Sequence, residues 1–326
     1  MCGIIAIFCD KIPNDLDRIW KAYDTLQKRG PDCGSFYFDN RGVIGFRRLN
    51  IMDLTSAGNQ PFTSTKSDAR LVCNGEIYNY KELKTKYSLE CKSNSDCEVI
   101  IKLYEKFGFH KTIMLLDGVF AIVIIDGENA YFARDRIGVR PLFFGFTSEG
   151  YIAVSSTAQA LQFFCINIQQ VEGINVFNKI SNSISCTYYP LYPTPELYDE
   201  KVDKWYYREV RDCLVNAVRK QLPSDRPIGV LLSGGLDSSL LTSIMTKILG
   251  PENIRSYSIG LEGSTDLKYA RRVSEYLGTE HTEIKLSVNE CISAIPNVIN
   301  DIATYDITTI RASVFMWKLA EYISTH

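Results

Sequence analysis

The sequence lacks the residue patterns that identify several common kinds of site. It has three histidines in 326 residues, His110, His281 and His326, and they are far apart along the chain. A histidine-based metal centre or catalytic triad is therefore not expected. Its ten cysteines include no Cys-x-x-Cys pair, so their spacing predicts neither a zinc knuckle nor a disulfide framework.

Strong net charge and long apolar runs are also missing. A formal net charge of −2 gives no electrostatic reason to expect nucleic acid or an anionic membrane as a partner. The apolar run at residues 4–8 follows no basic stretch and is too short for a signal peptide or a membrane span. With unpaired cysteines, this predicts a cytoplasmic protein. The length allows two domains, each with its own core.

The first half of the chain has the pattern of antiparallel sheets covered by helices. Apolar stretches between short turns predict strands at 3–8, 43–46, 70–73, 119–126, 130–133, 142–146 and 151–155. Apolar residues at helical spacing predict helices at 16–28, 81–87 and 96–107. We place this first domain at residues 1–185 and expect packed sheets with helices outside.

The second half alternates strands with helices. Strands are predicted at 228–232, 254–259 and 281–286, and helices at 205–220, 239–249 and 266–277. Helical patterns then follow the last strand through residue 299 and resume at 312–323. This alternation is typical of a doubly wound parallel α/β domain, which we place at residues 205–326. Residues 186–204, in a stretch rich in tyrosine and proline, are predicted to form the linker.

Residues 233–239, Ser-Gly-Gly-Leu-Asp-Ser-Ser, lie between a predicted strand and a predicted helix. Glycines let the backbone approach a ligand, and free N–H groups at a helix start attract negative oxygens. The segment lacks the Gly-Lys-Ser/Thr ending of a Walker A loop, but Asp237 could hold Mg²⁺ on a pyrophosphate. The alternative is a turn in which Asp237 and Ser238 only cap the helix.

Cys2 is the candidate nucleophile. If Met1 is removed, the Cys2 thiol lies beside a free α-amine with an ordinary pKa of about 7.7–8.0, so a base is built into the nucleophile. On its own, a cysteine at position two also fits a small buried apolar side chain.

Several segments together resemble the class II glutamine amidotransferase domain. They are Met-Cys-Gly-Ile at 1–4, Arg-Gly-Pro-Asp at 29–32, Arg-Leu at 48–49, Asn-Gly-Glu-Ile-Tyr-Asn at 74–79, Ser-Asp-Cys-Glu at 95–98, Gly-Val-Phe-Ala at 118–121 and Arg-Asp-Arg-Ile-Gly at 134–138. This resemblance implies an N-terminal-nucleophile αββα sandwich. It also implies that Cys2 attacks the side-chain amide of glutamine, forming a thioester and releasing ammonia.

The same resemblance implies roles for residues around Cys2. The Asn74 side chain and the Gly75 N–H would donate to the tetrahedral oxyanion, although Asn-Gly is also a strong hairpin-turn signal. The glutamine-binding residues would be Arg48 at the α-carboxylate, Glu76 and Asp96 at the α-ammonium, and Leu49, Ile51 and Met52 along the wall, together with Asn74 and Gly75. Solvated surface charge is the alternative for Arg48 and Asp96.

The loop at 233–239 resembles the pyrophosphate loop of the ATP pyrophosphatase superfamily. The segments at 263–268, 277–279 and 305–313 narrow the resemblance of the whole chain to the glutamine-hydrolysing asparagine synthetases. This implies ATP and Mg²⁺ as cofactors and an ATP site formed by Leu231, Leu232, Ser233, Gly234, Asp237, Ser238 and Ile259. Asp306, Thr308, Thr309 and Arg311 would lie near pyrophosphate or aspartate; the alternative for them is a capped helix start.

The implied reaction converts aspartate, ATP and glutamine into asparagine, AMP, pyrophosphate and glutamate, and a homodimer is possible. The family continues past the position of His326 with a Ser-Gly-Glu-Gly-Ser-Asp-Glu-like segment, so we expect the synthetase domain to be incomplete at its C-terminus. Three alternatives remain open at this point. They are a β-lactam synthetase-like enzyme, a glutaminase whose synthetase domain does not complete the reaction, and a non-catalytic regulatory relative.

Overall fold

The structure is a computed structural model that describes residues 1–11, 15–39, 41–190 and 204–326. The chain divides into two compact units, residues 1–196 and 197–326. The predicted linker at 186–204 begins inside a strand, and its residues 191–203 lie outside the described residues. The domain boundaries of the sequence analysis therefore stay a prediction.

The first unit contains two antiparallel sheets. Its strands are β1 (Gly3–Phe8), β2 (Cys33–Asp39), β3 (Gly42–Arg48), β4 (Phe62–Thr63), β5 (Arg70–Ile77), β6 (Gly118–Asp126), β7 (Asn129–Arg134), β8 (Phe143–Thr147), β9 (Ile152–Ser155), β10 (Cys165–Gln170), β11 (Ile174–Asn178) and β12 (Ser183–Thr187). Its helices are α1 (Leu16–Asp24), α2 (Tyr80–Tyr87), α3 (Glu98–Phe107), α4 (Phe109–Leu115) and α5 (Ala158–Leu161). The strand orders are β10-β8-β9-β1-β3-β2 and β12-β11-β7-β6-β5-β4.

Alternating side chains of the central strands build the core on both faces of each sheet. In β1, Ile4 and Phe8 pack with Val72 and Phe132 of the opposite sheet, so they lie between the sheets. Because successive side chains of a strand point to opposite faces, Ile5 packs instead in the cluster formed with α1. β1 is therefore buried along its whole length.

The outer faces of the two sheets are covered by different helices. Ile19 and Ala22 of α1 and Ala160 of α5 pack against the sheet that contains β1. Val99 and Leu103 of α3 pack, with α2 and α4, against the sheet that contains β5. The layers are helix, sheet, sheet, helix, and the predicted αββα sandwich is confirmed.

Several predicted element boundaries were wrong. The helix predicted at 16–28 ends at Asp24, and a separate 3₁₀ turn spans Gln27–Arg29 before Gly30 and Pro31. The helix predicted at 96–107 begins at Glu98. Strands β2, β4, β10 and β12, which are the edges of the two sheets, were not predicted, and neither was the inner strand β11.

The second unit contains a parallel sheet of the order β13 (Gly229–Leu231), β14 (Arg255–Leu261) and β15 (Glu280–Leu286). Its helices are α6 (Lys204–Gln221), α7 (Leu236–Leu249), α8 (Thr265–Leu277), α9 (Val288–Ile302) and α10 (Ile307–Thr325). Helix α8 packs on β14 and β15, and α9 packs on α10 through Ala294, Val298 and Val314. The predicted parallel α/β class is confirmed. None of the described helices combines the length and the apolar character that a membrane span needs.

Candidate active site

Cys2 lies immediately before β1, which begins at Gly3 and is fixed in the centre of its sheet. The Leu49 N–H donates to Cys2 Sγ at 3.4 Å, and Sγ lies 3.8 Å from Leu49 O. Arg29 Nε donates to Cys2 O at 3.1 Å. Burial raises the pKa of the Cys2 thiol, so the thiol is protonated at neutral pH and needs a base to become a nucleophile.

The terminal amine is the nearest candidate base. In this structure it belongs to Met1, and burial lowers its pKa to about 6, with the positive charges of Arg29 and Arg140 acting in the same direction. An amine with this pKa is mostly neutral at pH 7 and can accept a proton. Removal of Met1, which would transfer the amine to Cys2, stays a prediction.

Asn74 and Gly75 lie inside β5, where they pair with Ala121 and Phe120 of β6. The hairpin-turn interpretation of Asn74-Gly75 is therefore wrong. A Cβ on Gly75 would lie 2.5 Å from Val119 O and 2.7 Å from Phe120 Cα, so glycine is required for this close strand approach.

The Asn74 amide is a buried donor. Its side chain is 1% exposed, and no described residue offers Nδ2 a hydrogen-bond partner. A buried donor without a partner costs about 1–3 kcal/mol. An acceptor that arrives with a substrate accounts for this cost, as an oxyanion at Cys2 would.

One pocket brings together every residue predicted for glutamine binding and hydrolysis. Its lining includes Cys2, Arg48, Leu49, Ile51, Met52, Asn74, Gly75, Glu76 and Asp96. These residues come from the N-terminus, from the end of β3 and the segment that follows it, from β5 and from the loop that precedes α3. Their assigned roles remain predictions, but the pocket has the composition that those roles require.

Arg48 is buried at 4% exposure and is held by uncharged acceptors. Its terminal nitrogens donate to Thr55 O at 2.8 Å, Asn59 Oδ1 at 2.7 Å, Met52 O at 3.0 Å and Asp53 O. Because none of these four acceptors is an ion, the positive charge of Arg48 can still attract a carboxylate. The solvated-surface alternative for Arg48 is wrong.

Glu76 and Asp96 give the pocket its negative charge. Arg140 donates to Glu76 Oε1 at 3.2 Å, forming a partly buried ion pair. Asp96 is 6% exposed, its Oδ2 accepts from the Ile77 N–H at 2.6 Å, and burial raises its pKa to about 6. A ligand ammonium would favour the ionised form of Asp96. Asp96 is therefore not a solvated surface charge.

The sequence analysis missed several residues of the pocket lining, namely Met1, Phe46, Gly58, Gln60, Cys73, Ser95, Cys97 and Arg140. Gln60 pairs its amide with the backbone of Cys73, accepting from its N–H at 2.6 Å and donating to its carbonyl at 3.1 Å. Arg140 is held by the Asp135 carboxylate, which accepts from its N–H at 3.1 Å. Arg140 lies two residues after the matched segment 134–138, and this position was the signal that could have identified it.

The loop at 233–239 follows β13 in the second unit and extends into the first turn of α7. Helix α7 begins at Leu236, its N-cap residue is Gly235, and no side chain caps it. The interpretation of Asp237 and Ser238 as mere helix caps is therefore not supported. Ser233 Oγ and Ser238 Oγ lie 3.0 Å apart, and Asp237 is exposed in the first turn of α7.

Gly234 allows this loop to approach α8. Its φ is +78°, and a Cβ there would lie 2.5 Å from the backbone nitrogen of Ala270. No other residue type would fit both the dihedral angle and the space. The loop therefore has a defined backbone, in which Ser233 and Asp237 are exposed and the Ser239 hydroxyl is buried without a partner among the described residues.

The other residues predicted for the ATP site lie at the carboxyl ends of neighbouring parallel strands. Leu231 ends β13, the buried Leu232 follows and donates its N–H to Tyr257 O at 2.8 Å, and Ile259 lies near the end of β14. Ligands of parallel α/β sheets bind at this edge. Among the described residues, no three His, Cys, Asp or Glu side chains are grouped to hold a metal.

Asp306 caps helix α10. Its Oδ2 accepts from the Thr309 N–H and from Thr309 Oγ1, both at 2.7 Å, and these bonds hold the pKa of Asp306 below its ordinary value. The capped-helix alternative thus accounts for Asp306. Contacts of Thr308, Thr309 and Arg311 with pyrophosphate or aspartate stay a prediction.

Two family models match the chain in sequence order. A glutamine amidotransferase domain matches residues 1–189, and asparagine synthase matches residues 209–326.

Curated relatives match nearly all of this chain. A probable glutamine-hydrolyzing asparagine synthetase of Acanthamoeba polyphaga mimivirus is 40% identical over 99% of this chain and 64% of its own length. Glutamine-hydrolyzing asparagine synthetases of Arabidopsis thaliana and Rattus norvegicus are both 36% identical, over 100% and 99% of this chain and 57% and 63% of their own lengths. The chain thus spans roughly three fifths of the length of these relatives.

Two solved structures share the fold at low sequence identity. A glutamine phosphoribosylpyrophosphate amidotransferase of B. subtilis has a TM-score of 0.52 at 14% identity, covering 96% of each chain. The allosteric regulatory enzyme of purine biosynthesis has a TM-score of 0.50 at 13% identity, covering 87% of this chain and 80% of that one. At these identities the likeness concerns the fold alone.

Proposed function

We propose, from the premise that this chain belongs to the glutamine amidotransferase domain family, that it supplies ammonia from glutamine for the ATP-dependent synthesis of asparagine. The first unit would hydrolyse glutamine at Cys2, and the second would activate aspartate at the loop 233–239. The order of the two matched domains supports this pairing of activities. The observation that carries the proposal is the pocket in which Cys2 lies with the unpartnered Asn74 amide.

The geometry of the pocket suggests how glutamine would be cleaved. The terminal amine accepts the proton of the Cys2 thiol, and Sγ attacks the side-chain carbonyl carbon. The Asn74 Nδ2–H and the Gly75 N–H donate to the oxyanion that forms. Collapse of this intermediate returns the proton to the leaving nitrogen, so that ammonia departs and a thioester remains. Water then cleaves the thioester and releases glutamate.

Substrate orientation would come from the charged lining. Arg48 attracts the α-carboxylate of glutamine, and Glu76 and Asp96 attract its α-ammonium. Leu49, Ile51 and Met52 form the wall along the carbon chain. Because groups of opposite charge line the same pocket, they can select an amino acid zwitterion rather than a simple amide.

In the second unit, the β-carboxylate of aspartate would attack the α-phosphorus of ATP and displace pyrophosphate. The exposed N–H groups at the start of α7 would bind the phosphate oxygens, and ammonia would displace AMP from the acyl-adenylate. Asp237 would be the protein ligand of Mg²⁺, with the other ligands supplied by phosphate and water, a composition that suits this ion. When bound, Mg²⁺ neutralises charge on the leaving pyrophosphate.

The cytoplasmic location and the homodimer expected from the sequence belong to this proposal. The ten cysteines are all free thiols, which supports a reducing compartment. The second candidate is a glutaminase that does not complete asparagine synthesis. It is favoured by the contrast between the pocket, in which Arg48, Asn74 and Asp96 are buried, and the loop at 233–239, in which Ser233 and Asp237 are exposed.

A product analysis tests both candidates. Purified protein is given aspartate, ATP and Mg²⁺ with either glutamine or ammonia, and glutamate, asparagine, AMP and pyrophosphate are quantified. The proposal predicts all four products with glutamine. Glutamate without AMP identifies the glutaminase, and the absence of every product contradicts both candidates.

Cys2→Ala is the matched variant for this assay. It should lower glutamate formation by at least about a thousandfold, because the nucleophile is removed, while ammonia-dependent formation of asparagine continues. Persistence of glutamate formation would show that Cys2 is not the nucleophile. Mass spectrometry of the intact protein decides whether Met1 has been removed.

A further inference from the structure

Asp53 is a buried carboxylate that directly follows the predicted glutamine-binding wall. It is 4% exposed, and its φ of +54° lies in the left-handed region that non-glycine residues rarely adopt. Its Oδ1 accepts from the N–H of Thr55 at 3.1 Å and from Thr55 Oγ1 at 2.6 Å. Its Oδ2 accepts from the Asn94 N–H at 2.8 Å.

These contacts join two segments that are far apart in the sequence. Met52, immediately before Asp53, lines the glutamine pocket, and so do Ser95 and Asp96, immediately after Asn94. One carboxylate thus connects the wall that follows β3 with the loop that carries Asp96. The bridge spans the two sides of the site to which opposite charges of glutamine are assigned.

The backbone of Asp53 adds a third connection. Arg48 donates to the Asp53 carbonyl and to Met52 O. The guanidinium is therefore oriented by the same turn that the Asp53 carboxylate holds closed. Displacement of this turn would move both Arg48 and the attachment point of the Asp96 loop.

Other groups hold the Asp96 loop from its own side. Glu98 of α3 accepts from the N–H groups of Lys92 at 2.8 Å and of Ser93 at 2.7 Å. These bonds fix the shape of the loop but do not connect it to the opposite wall. Asp53 reaches the loop from that wall, so its role differs from the role of Glu98.

Asp53 combines a buried charge with a rare backbone conformation, and each of these features is unfavourable for folding. Burial tends to raise its pKa, but the bonds from Thr55 and Asn94 outweigh burial and keep the pKa below the ordinary value. The carboxylate is therefore ionised at neutral pH, in a strained backbone conformation. Such strain is found where the surrounding structure requires one geometry.

We infer that Asp53 is a positioning residue for glutamine recognition, which fixes the separation between Arg48 and Asp96 without touching the substrate. This inference rests on the proposed function of the pocket. A zwitterion held at two charged points loses affinity when their separation changes. The reacting end stays in place, because Cys2 immediately precedes the buried β1 and Asn74 lies within β5.

Two substitutions distinguish the contribution of the Asp53 carboxylate from that of its strained backbone. Asp53→Asn retains shape and tolerance of positive φ, but one amide oxygen cannot accept from both Thr55 and Asn94. Asp53→Gly removes both links and accepts the dihedral angle without strain. Glu105→Gln is the matched control, since Glu105 accepts from the Thr65 N–H at 2.7 Å and from Ser64 Oγ at 2.8 Å, away from the pocket.

Steady-state glutamate formation by the full chain is measured for each variant. Both Asp53 variants should raise KM for glutamine at least about tenfold with kcat within about threefold of the parent, because ground-state binding and transition-state binding are lost together. Glu105→Gln should leave KM unchanged. An equal fall of kcat at constant KM, the same KM change in Glu105→Gln, or failure of Asp53→Asn to fold would each overturn the inference.

Binding provides a readout that does not depend on turnover. Calorimetric titration of Cys2→Ala with glutamine is compared with the same titration of Cys2→Ala/Asp53→Asn, and the second should show at least about tenfold weaker affinity. If the parent forms no glutamate but this affinity difference is observed, the proposed reaction fails and the positioning role stands. Equal affinities would contradict the positioning role.

Discussion

The pocket around Cys2 draws its residues from segments far apart in the sequence, whereas the loop at 233–239 is one continuous segment. In the pocket, Arg48, Asn74 and Asp96 are each at most 6% exposed. In the loop, Ser233 and Asp237 are exposed, and the hydrogen bonds of Ser233 go to Ser238 and Gly235 of the same loop.

This difference separates two ways of building a polar site. The polar groups of the pocket are desolvated during folding, so that the fold bears a free-energy cost before any ligand is bound. The exposed Ser233 and Asp237 side chains of the loop remain hydrated, so their desolvation cost arises only when a ligand displaces water. The buried Ser239 hydroxyl is the exception in this segment. Removing a polar group from the pocket should therefore impair catalysis and also remove the folding cost of that group, while substitutions of the exposed side chains of the loop should change ligand binding alone.

The largest effect that tests this contrast is expected at Asn74. Asn74→Ala removes an oxyanion donor and should lower kcat for glutamate formation about 10²–10³-fold. Stability should change little, because the lost packing is offset by removal of an unpartnered buried amide. Kinetics of glutamine hydrolysis and thermal unfolding are measured on the same preparation.

Asn175→Ala is the control for Asn74. Asn175 is also buried, but its Nδ2 donates to Glu172 O at 2.7 Å. Its removal should destabilise the protein by about 1–3 kcal/mol without changing kcat at a temperature well below unfolding. If Asn74→Ala behaved like Asn175→Ala, the Asn74 amide would be structural.

We expect the Asp96 carboxylate to destabilise the fold at neutral pH and to be needed for binding glutamine. Burial raises its pKa from 3.8 to about 6, so stability falls as pH rises from about 4 to about 6, and the full cost is present at pH 7. Asp96→Asn should add up to about 3 kcal/mol of stability at pH 7, add none at pH 4, and abolish saturation by glutamine. Denaturant unfolding at both pH values and glutamine kinetics provide the measurements.

The charge of Asp39 should have the opposite effect on stability to the charge of Asp96. Hydrogen bonds from Arg41 and Arg70 outweigh its burial and lower its pKa to about 2. Its charge therefore stabilises the fold above the unfolded-state pKa, and Asp39→Asn should destabilise the protein at pH 7. If Asp96→Asn lost stability at pH 7 as well, the idea of a desolvated, poorly stabilised Asp96 would be wrong.

The contrast also explains what the sequence could predict. Cys2, Asn74, Gly75 and Asp96 occur in short continuous motifs, so a resemblance to known domains was sufficient to identify them. Gln60 and Asp53 act through contacts with other segments of the chain, and their neighbours in sequence give no sign of this. Arg140, which pairs with Glu76, differs because it follows the matched segment 134–138.

The strands of the fold also differ in how well the sequence predicts them. β1 and β6 are buried apolar runs, and their predicted positions agree closely with the structure. The edge strands β2, β10 and β12 are largely half-buried or exposed, so neither continuous apolar character nor clean alternation marks them. Pairing with a neighbouring strand, which the local sequence does not encode, decides their conformation.

In the loop, Asp237→Asn should affect ligand binding only. It should lower ATP-dependent pyrophosphate formation about tenfold by removing the predicted Mg²⁺ ligand, with Tm within about 1 °C because Asp237 is exposed. Glu275→Gln, an exposed carboxylate of α8, is the control and should change neither quantity. A lower Tm for Asp237→Asn would mean that the loop is part of the folded framework, like the pocket.

The smallest effect is expected at Asp306, which the structure presents as a helix cap. Asp306→Ala removes both bonds to Thr309 and should lower Tm by roughly 2–4 °C, as loss of a capping side chain does. Ser287→Ala is the matched control, since Ser287 caps α9 by accepting from the Glu290 N–H at 3.2 Å. If capping is the whole role of Asp306, both variants should form AMP at the parental rate below their Tm. A specific loss of AMP formation in Asp306→Ala would instead assign Asp306 to the ligand site, and the second unit would then contain a functional carboxylate outside the loop at 233–239.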